Sequence, residues 1–306
     1  MLTKRRAAAA LFAAVAVSAA ARDFKSAVTG RLDWERMRID MELRVDIAQA
    51  GIKLPSGRTQ AEEALLSSYL DTARPFILSI GLDSSGALGG LVESGALPVS
   101  MIDALAMQAA RKPPAYSRDF GSIRSSYIID LRDTGARLLR SAQGVSGQAA
   151  FGRSAQPPRL IDPPAAAGYT GIIIIADGEL PVHGQKKLAT LAPCLFPKIW
   201  DTEMNLIYDK NMISAERGAD FAMVRYAAAD SIFQDNPSGL SGELRQAAGD
   251  RPLRIMARGV FGINPTDPVI DRADALTILS SETNRRLLSE GRVVFIAPKD
   301  ALIREF

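Results

Sequence analysis

One cysteine and one histidine stand in 306 residues, and these two scarcities exclude a good deal. Cys194 has no second thiol to join, so no intrachain disulfide forms. With His183 as the only imidazole, a zinc centre would have to rest on carboxylates and Cys194, an unusual donor set for structural or catalytic zinc. Aromatics are scarce as well, at 6% of residues, too few to line the sugar cleft in which a glycosidase sets two carboxylates. No glycine loop closes on Gly-Lys-Ser or Gly-Lys-Thr. The nearest string, Gly178 to Gly184 before Gln185-Lys186-Lys187, has the wrong spacing and lacks the hydroxyl. Gly86-Ala87-Leu88-Gly89-Gly90 does not spell the dinucleotide fingerprint. The Gly-x-Ser-x-Gly elbow is also missing, which leaves loose serines in Gly144 to Gly147 and in Ser238 to Ser241.

Charge of one sign is lacking too. The net charge of +3 equals the contribution of Lys4, Arg5 and Arg6 alone, so the rest of the chain is balanced. Without a basic block elsewhere there is no electrostatic footprint for nucleic acid or for an anionic membrane surface. Those three cations open MLTKRRAAAALFAAVAVSAAARD, where an apolar run from Ala7 to Val17 precedes the small residues Ser18 to Ala21. That order is the pattern of a secretory signal peptide, with cleavage expected after Ala20 or Ala21 and export to the periplasm. The run is too short and alanine-rich to span a bilayer well. No cysteine sits at the cleavage site, so no direct lipid anchor is expected.

What the sequence does hold is 47% hydrophobic residues, enough for two ordinary cores. From Arg38 to Ile47 every odd position is apolar and every even one charged, which predicts a strand with one buried face. If that strand lies at an edge, its amides could accept a neighbour. Ala61, Leu65, Tyr69, Thr72 and Phe76 repeat at helical spacing, so a long helix follows, with a possible bend at Pro75. Gly81 to Gly95 reads as a loop, Val99 to Arg111 as a second helix, and the stretch from Ser122 as one or two strands.

Residues 141–168, rich in Gly, Ala, Ser, Gln and Pro, read as a linker that lets two modules reach separate contacts. Beyond it, Gly171 to Ala176 predicts a strand buried on both faces, closed by an Asp177-Gly178 turn. Short strands are expected within 198–208 and 221–226, one longer strand across 251–263, a helix over 280–290, and a final strand over 292–297.

The expected class is therefore α+β in two small domains: a signal peptide at 1–21, an N-terminal strand-helix-strand domain at 22–140, the linker at 141–168, and a C-terminal mixed-sheet domain at 169–306.

The chemistry-bearing residues favour structural readings. Glu62-Glu63 suit a helical first turn, Asp271 and Asp274 an acid-rich loop or helix start, and Cys194 a small buried apolar position. We assign no catalytic, cofactor-binding or metal-ligating residue and expect no cofactor. The alternatives are a hydrolase using His183 with a serine or an acid, Asp177 orienting the imidazole, and a ligand-binding module with a pocket near Asp177.

GYTGIIIIADGE followed by PKIWDTEMNLIYDKNMIS resembles the C-terminal part of FlgP-like flagellar accessory proteins and their relatives in envelope assembly. The matching positions are Tyr169, Thr170, Gly171, Pro197, Ile199, Asp201, Glu203, Ile207 and Tyr208. Upstream, GRLDWERMRIDMELRV is similar to that family's opening strand, with Asp33-Trp34 at its Asp-Trp. The resemblance implies a periplasmic, non-enzymatic structural or assembly component of a ring or collar type, a homo-oligomer acting through contacts with other envelope or flagellar proteins. Many members carry a lipid-accepting cysteine that this chain lacks.

Overall fold

The computed structural model describes residues 26–145, 168–213 and 222–306. The expected signal peptide and most of the expected linker lie outside them. The fold is α+β.

The first half is an antiparallel sheet backed by helices. Ser26–Asp33 and Arg38–Asp46 form a hairpin, Ser122–Asp130 pairs with the second of these strands, and Ala110–Arg111 closes one side. The alternation read between Arg38 and Ile47 appears as burial: Ile39, Met41, Leu43 and Val45 face the core. The strand is central, however, paired along its length on both sides, so it has no free amides to offer a neighbour. Its charges form a solvated face tied by cross-strand and local pairs such as Arg38 to Asp40 at 2.9 Å and Arg124 to Glu42 at 3.8 Å.

The long helix, Arg58–Ser79, continues through Pro75 without a break and packs on the inner face of the sheet. There the Tyr69 ring stacks on Tyr127 with centroids 3.8 Å apart, and the Tyr69 hydroxyl donates to the Ala106 carbonyl at 2.8 Å. The stretch expected as a loop from Gly81 to Gly95 holds a short pair of strands, Gly81–Asp83 with Gly86–Ala87, and a helix, Leu88–Glu93. Buried Leu88 anchors that helix against the core, so tertiary packing outweighs the glycines.

The second half carries two four-stranded sheets, besides a two-stranded pair of Leu180–Pro181 with Leu188–Ala189. One is wholly parallel, in the order Arg225–Ala227, Val293–Ile296, Ile172–Ile175, Leu253–Met256. The isoleucine strand is central in it, which is why four isoleucines run without alternation. Ile172 and Ile174 face the main core, and Ile173 faces a second cluster with Leu244, Ala248 and Val294. Ile175, at the strand's end, is only half-buried. Gly171 leads into this strand against Ala248, whose backbone would lie within 3 Å of any added Cβ. Asp177 and Gly178 are exposed, with Gly178 at φ 97°. The chain does not fold back along the isoleucine strand, because both neighbours there are parallel strands already in place.

The other sheet is mixed and contains Leu206–Tyr208, Ile199–Asp201, Asp267–Ile270 and Gly259–Phe261. The single strand expected across 251–263 is therefore two strands in different sheets. The change falls between adjacent residues: the Ala257 amide donates to Ile175 in the parallel sheet, and the Arg258 amide donates to Val269 in the mixed one.

The strand at 292–297 is not the last element. Lys299–Leu302 is a short helix, and Ile303–Glu305 returns to pair with Ser26–Asp33 as the edge of the first sheet. Phe306 exchanges two backbone hydrogen bonds with Gly30, and its ring stacks on Phe76. Leu195 and Phe196 also bond to Gly81 and Leu82 through backbone amides at 3.0 and 2.8 Å. One contiguous cluster of buried side chains spans both halves. They are joined directly and are not modules reaching apart on a tether.

Candidate functional site

The seam between the halves is organised by the four-residue turn of the first hairpin, Trp34 to Met37. Asp33 fixes it, since its Oδ1 accepts from the Arg36 amide at 3.0 Å. Met37 adopts φ 54°, a left-handed conformation unusual outside glycine, and is held there by burial and by its carbonyl accepting from the Leu131 amide at 2.8 Å. The turn presents two side chains to the second half. Trp34, 4% exposed, meets the Tyr226 ring edge-on at 5.7 Å, and Glu35 Oε1 accepts from the Ala228 amide at 2.9 Å. Tyr226 is itself pinned, its hydroxyl accepting from the Cys194 amide and donating to the Cys194 carbonyl, each at 3.0 Å. Burial raises the phenol pKa of Tyr226 well above its ordinary value, and the Cys194 thiol is likewise raised by burial.

Beside this turn lies a cleft of about 600 Å³. Its first-half wall carries Arg31, Asp33, Glu35 and Arg36, and the opposite wall carries Arg225, Asp230, Glu243 and Lys299. Each wall thus carries two cations and two anions, and the cleft as a whole is balanced. Asp33 Oδ2 ion-pairs with both Arg31 and Arg36, at 3.5 and 3.7 Å. Arg31 Nε is buried without a hydrogen-bond partner among the described residues. The floor is the strand Arg225–Ala227, which pairs on one side only, with Val293–Ile296.

A second polar cluster crosses the seam at Asp267, which is fully buried. Its carboxylate accepts from the Lys198 amide at 3.0 Å, Trp200 Nε1 at 3.2 Å and Thr266 Oγ1 at 3.0 Å, and from Ser84 of the first half. Burial raises its pKa despite these four donors. No group of three or more His, Cys, Asp or Glu side chains placed to hold a metal occurs among the described residues.

The residues weighed from the sequence are scattered. His183 is exposed, its ring edge-on to Phe261 at 6.3 Å, and no serine or carboxylate hydrogen-bonds its imidazole among the described residues. Asp177 is exposed and does not line the cleft. Ser241 caps a short helix by accepting from the Leu244 amide, and Ser238 donates to Asn236. Asp271 caps the helix Arg272–Leu279 and pairs with Arg258 at 3.2 Å. Glu62 and Glu63 lie in the long helix but beyond its first turn, which begins at Arg58 and holds no acid, and Glu62 pairs with Arg58.

Glu35, Tyr226 and Asp267 were missed by sequence reasoning. The one signal for Glu35 was its place in a tight turn ahead of a strongly alternating strand.

Residues 25–137 match the family model described as Treponema pallidum Tp0624, N-terminal domain, and residues 171–299 match that described as Treponema pallidum Tp0624, second domain. No curated protein matches the chain. Together the two models cover well over half of the sequence, and the chain is thus built from a Tp0624-type N-terminal domain followed by a Tp0624-type second domain.

Proposed function

We propose that this protein is an exported structural or assembly component of the cell envelope, not an enzyme, acting through protein-protein contacts as a homo-oligomer or with envelope partners. The observation that carries this reading is the return of Ile303–Glu305 to the first sheet. It ties both halves into one body, as a load-bearing part requires and a hinged catalytic cleft does not. The distribution of apolar side chains supports it as well: Phe233 and Ile263 are 77% and 78% exposed, and large exposed apolar groups are available to contact partners. The amino-terminal sequence, with its basic start, short apolar run and small residues ending near Ala21, supports export to the periplasm.

The resemblance of its motifs to those of FlgP-like proteins supports the flagellar motor as the first among envelope settings. Asp201 and Tyr208, two of the motif positions, have structural work here. Asp201 accepts from the Glu203 and Asn205 amides to fix a turn, and the Tyr208 hydroxyl donates to the Met223 carbonyl at 2.9 Å. The test is a fluorescent fusion in the source cells. Polar or motor-associated foci support the flagellar setting, uniform envelope staining leaves only the general one, and cytoplasmic fluorescence sinks both.

A further inference from the structure

The strand Arg225–Ala227 is an edge of the parallel sheet, and the direction of its amides can be worked out. The Ala227 carbonyl accepts from the Ala297 amide on the side of Val293–Ile296. Peptide groups alternate along a strand, so Arg225 and Ala227 turn towards that neighbour, whereas Tyr226 and Ala228 turn the other way. The Ala228 amide confirms the direction, because it donates to Glu35 Oε1 across the seam. The Tyr226 N–H and C=O have no partner among the described residues. They open on the cleft that Tyr226 lines, and an unpaired donor and acceptor on a strand edge is the template that strand addition uses.

The cleft's chemistry narrows the occupant. Its volume of about 600 Å³ falls in the range of small-ligand sites. Four cations balanced by four anions do not suit a polyanion such as a nucleotide, which needs a positive excess. Among the described residues the only aromatic ring on the lining is Tyr226, 3% exposed, so they offer no flat platform to a sugar. A largely charged lining does not suit an apolar ligand. An extended peptide bearing both acidic and basic groups satisfies every element. Its backbone would take the Tyr226 donor and acceptor, and its side chains would meet opposite charges on both walls. Glu35 already occupies the place of such a backbone acceptor at the next outward-facing amide.

We propose that this cleft binds a short extended peptide of mixed charge by strand addition to Tyr226, whether a free oligopeptide or an exposed segment of another protein. This goes beyond the assembly reading and stands without it. The test is selection of a displayed random octapeptide library on the full chain, followed by hydrogen exchange with each selected peptide in soluble form. The inference expects mixed-charge peptides to be enriched, and exchange at the Tyr226 amide to slow by about tenfold or more on saturation. N-methylation of alternate peptide amides should abolish that protection, and the double variant Asp230→Lys, Glu243→Lys should weaken binding by about tenfold while leaving the melting temperature near wild type. Failure to enrich any peptide, or enriched peptides that leave Tyr226 exchange unchanged, would overturn the site. Binding of the same sequence as a free peptide but not within a folded host protein would identify the free oligopeptide as the source, and the converse would identify a protein segment.

Discussion

Glu35 Oε1 accepts a hydrogen bond from the Ala228 amide at 2.9 Å, so a carboxylate from a hairpin turn in the first half closes one position on the strand edge of the second. The residues are 193 positions apart in sequence, and the bond is one of several that make the two halves a single body. Glu35→Ala removes the acceptor and leaves the Ala228 amide without its partner, which should cost about 1–2 kcal/mol. Glu35→Gln keeps an acceptor and should cost less than about half as much. Urea denaturation checks both, and hydrogen exchange at Ala228 should quicken in the alanine variant.

The isoleucine strand carries two cores. Truncating Ile173 empties space among Leu244, Ala248 and Val294, whereas truncating Ile174 opens the main core. Each change to alanine should cost about 2–5 kcal/mol, measurable as a lower denaturation midpoint. Asp177→Asn, at an exposed turn position, should leave stability near wild type.

Gly171→Ala tests a different limit. The added Cβ would fall against the Ala248 backbone, which cannot swing aside as a side chain end can. The expected loss is about 1–3 kcal/mol from overpacking. Gly86→Ala, where an added Cβ meets nothing within 4 Å, should by comparison leave the thermal midpoint almost unmoved.

Asp267 gives the seam a pH dependence. Burial raises its pKa, so the folded protein binds a proton there more readily than the unfolded chain does. Between the ordinary aspartate value, about 4, and the raised folded value, this group's contribution therefore falls as pH rises and recovers on acidification. Asp267→Asn should remove that component from the pH profile of the denaturation midpoint. Trp200, which donates to this carboxylate, supplies a fluorescence signal for the same titration, and an unchanged profile in the variant would refute the assignment.

Much of this architecture was legible wherever one physical signal dominated. The alternation from Ile39 to Val45 and the unbroken isoleucines report burial on one face and on two, and both hold in the fold except at half-buried Ile175. The strand pair inside 198–208 was also readable from its turn. Partners were not. That Arg38–Asp46 is central depends on pairings 26–33 and 122–130, and neither its alternation nor its charges encode them. The break at Ala257-Arg258 is a choice between two sheets made by hydrogen bonds to distant strands, invisible in local composition. The cleft was illegible for the same reason: its walls come from residues 31–36, 225–244 and 299–303, brought together only when the two halves pack against each other. His183 and Asp177 stood out because they are rare or follow a strand, and neither property places a side chain in a site.

The most direct measurement of the central claim is photocrosslinking in the source cells from a reactive residue placed at Phe233 or at Glu42, both exposed positions away from the cleft lining. Discrete higher-mass adducts in the envelope fraction, containing a second copy of the chain or one defined envelope protein, are the result expected of an assembly component. Absence of adducts from either position, with the protein recovered as a monomer in the cytoplasmic fraction, would contradict the account.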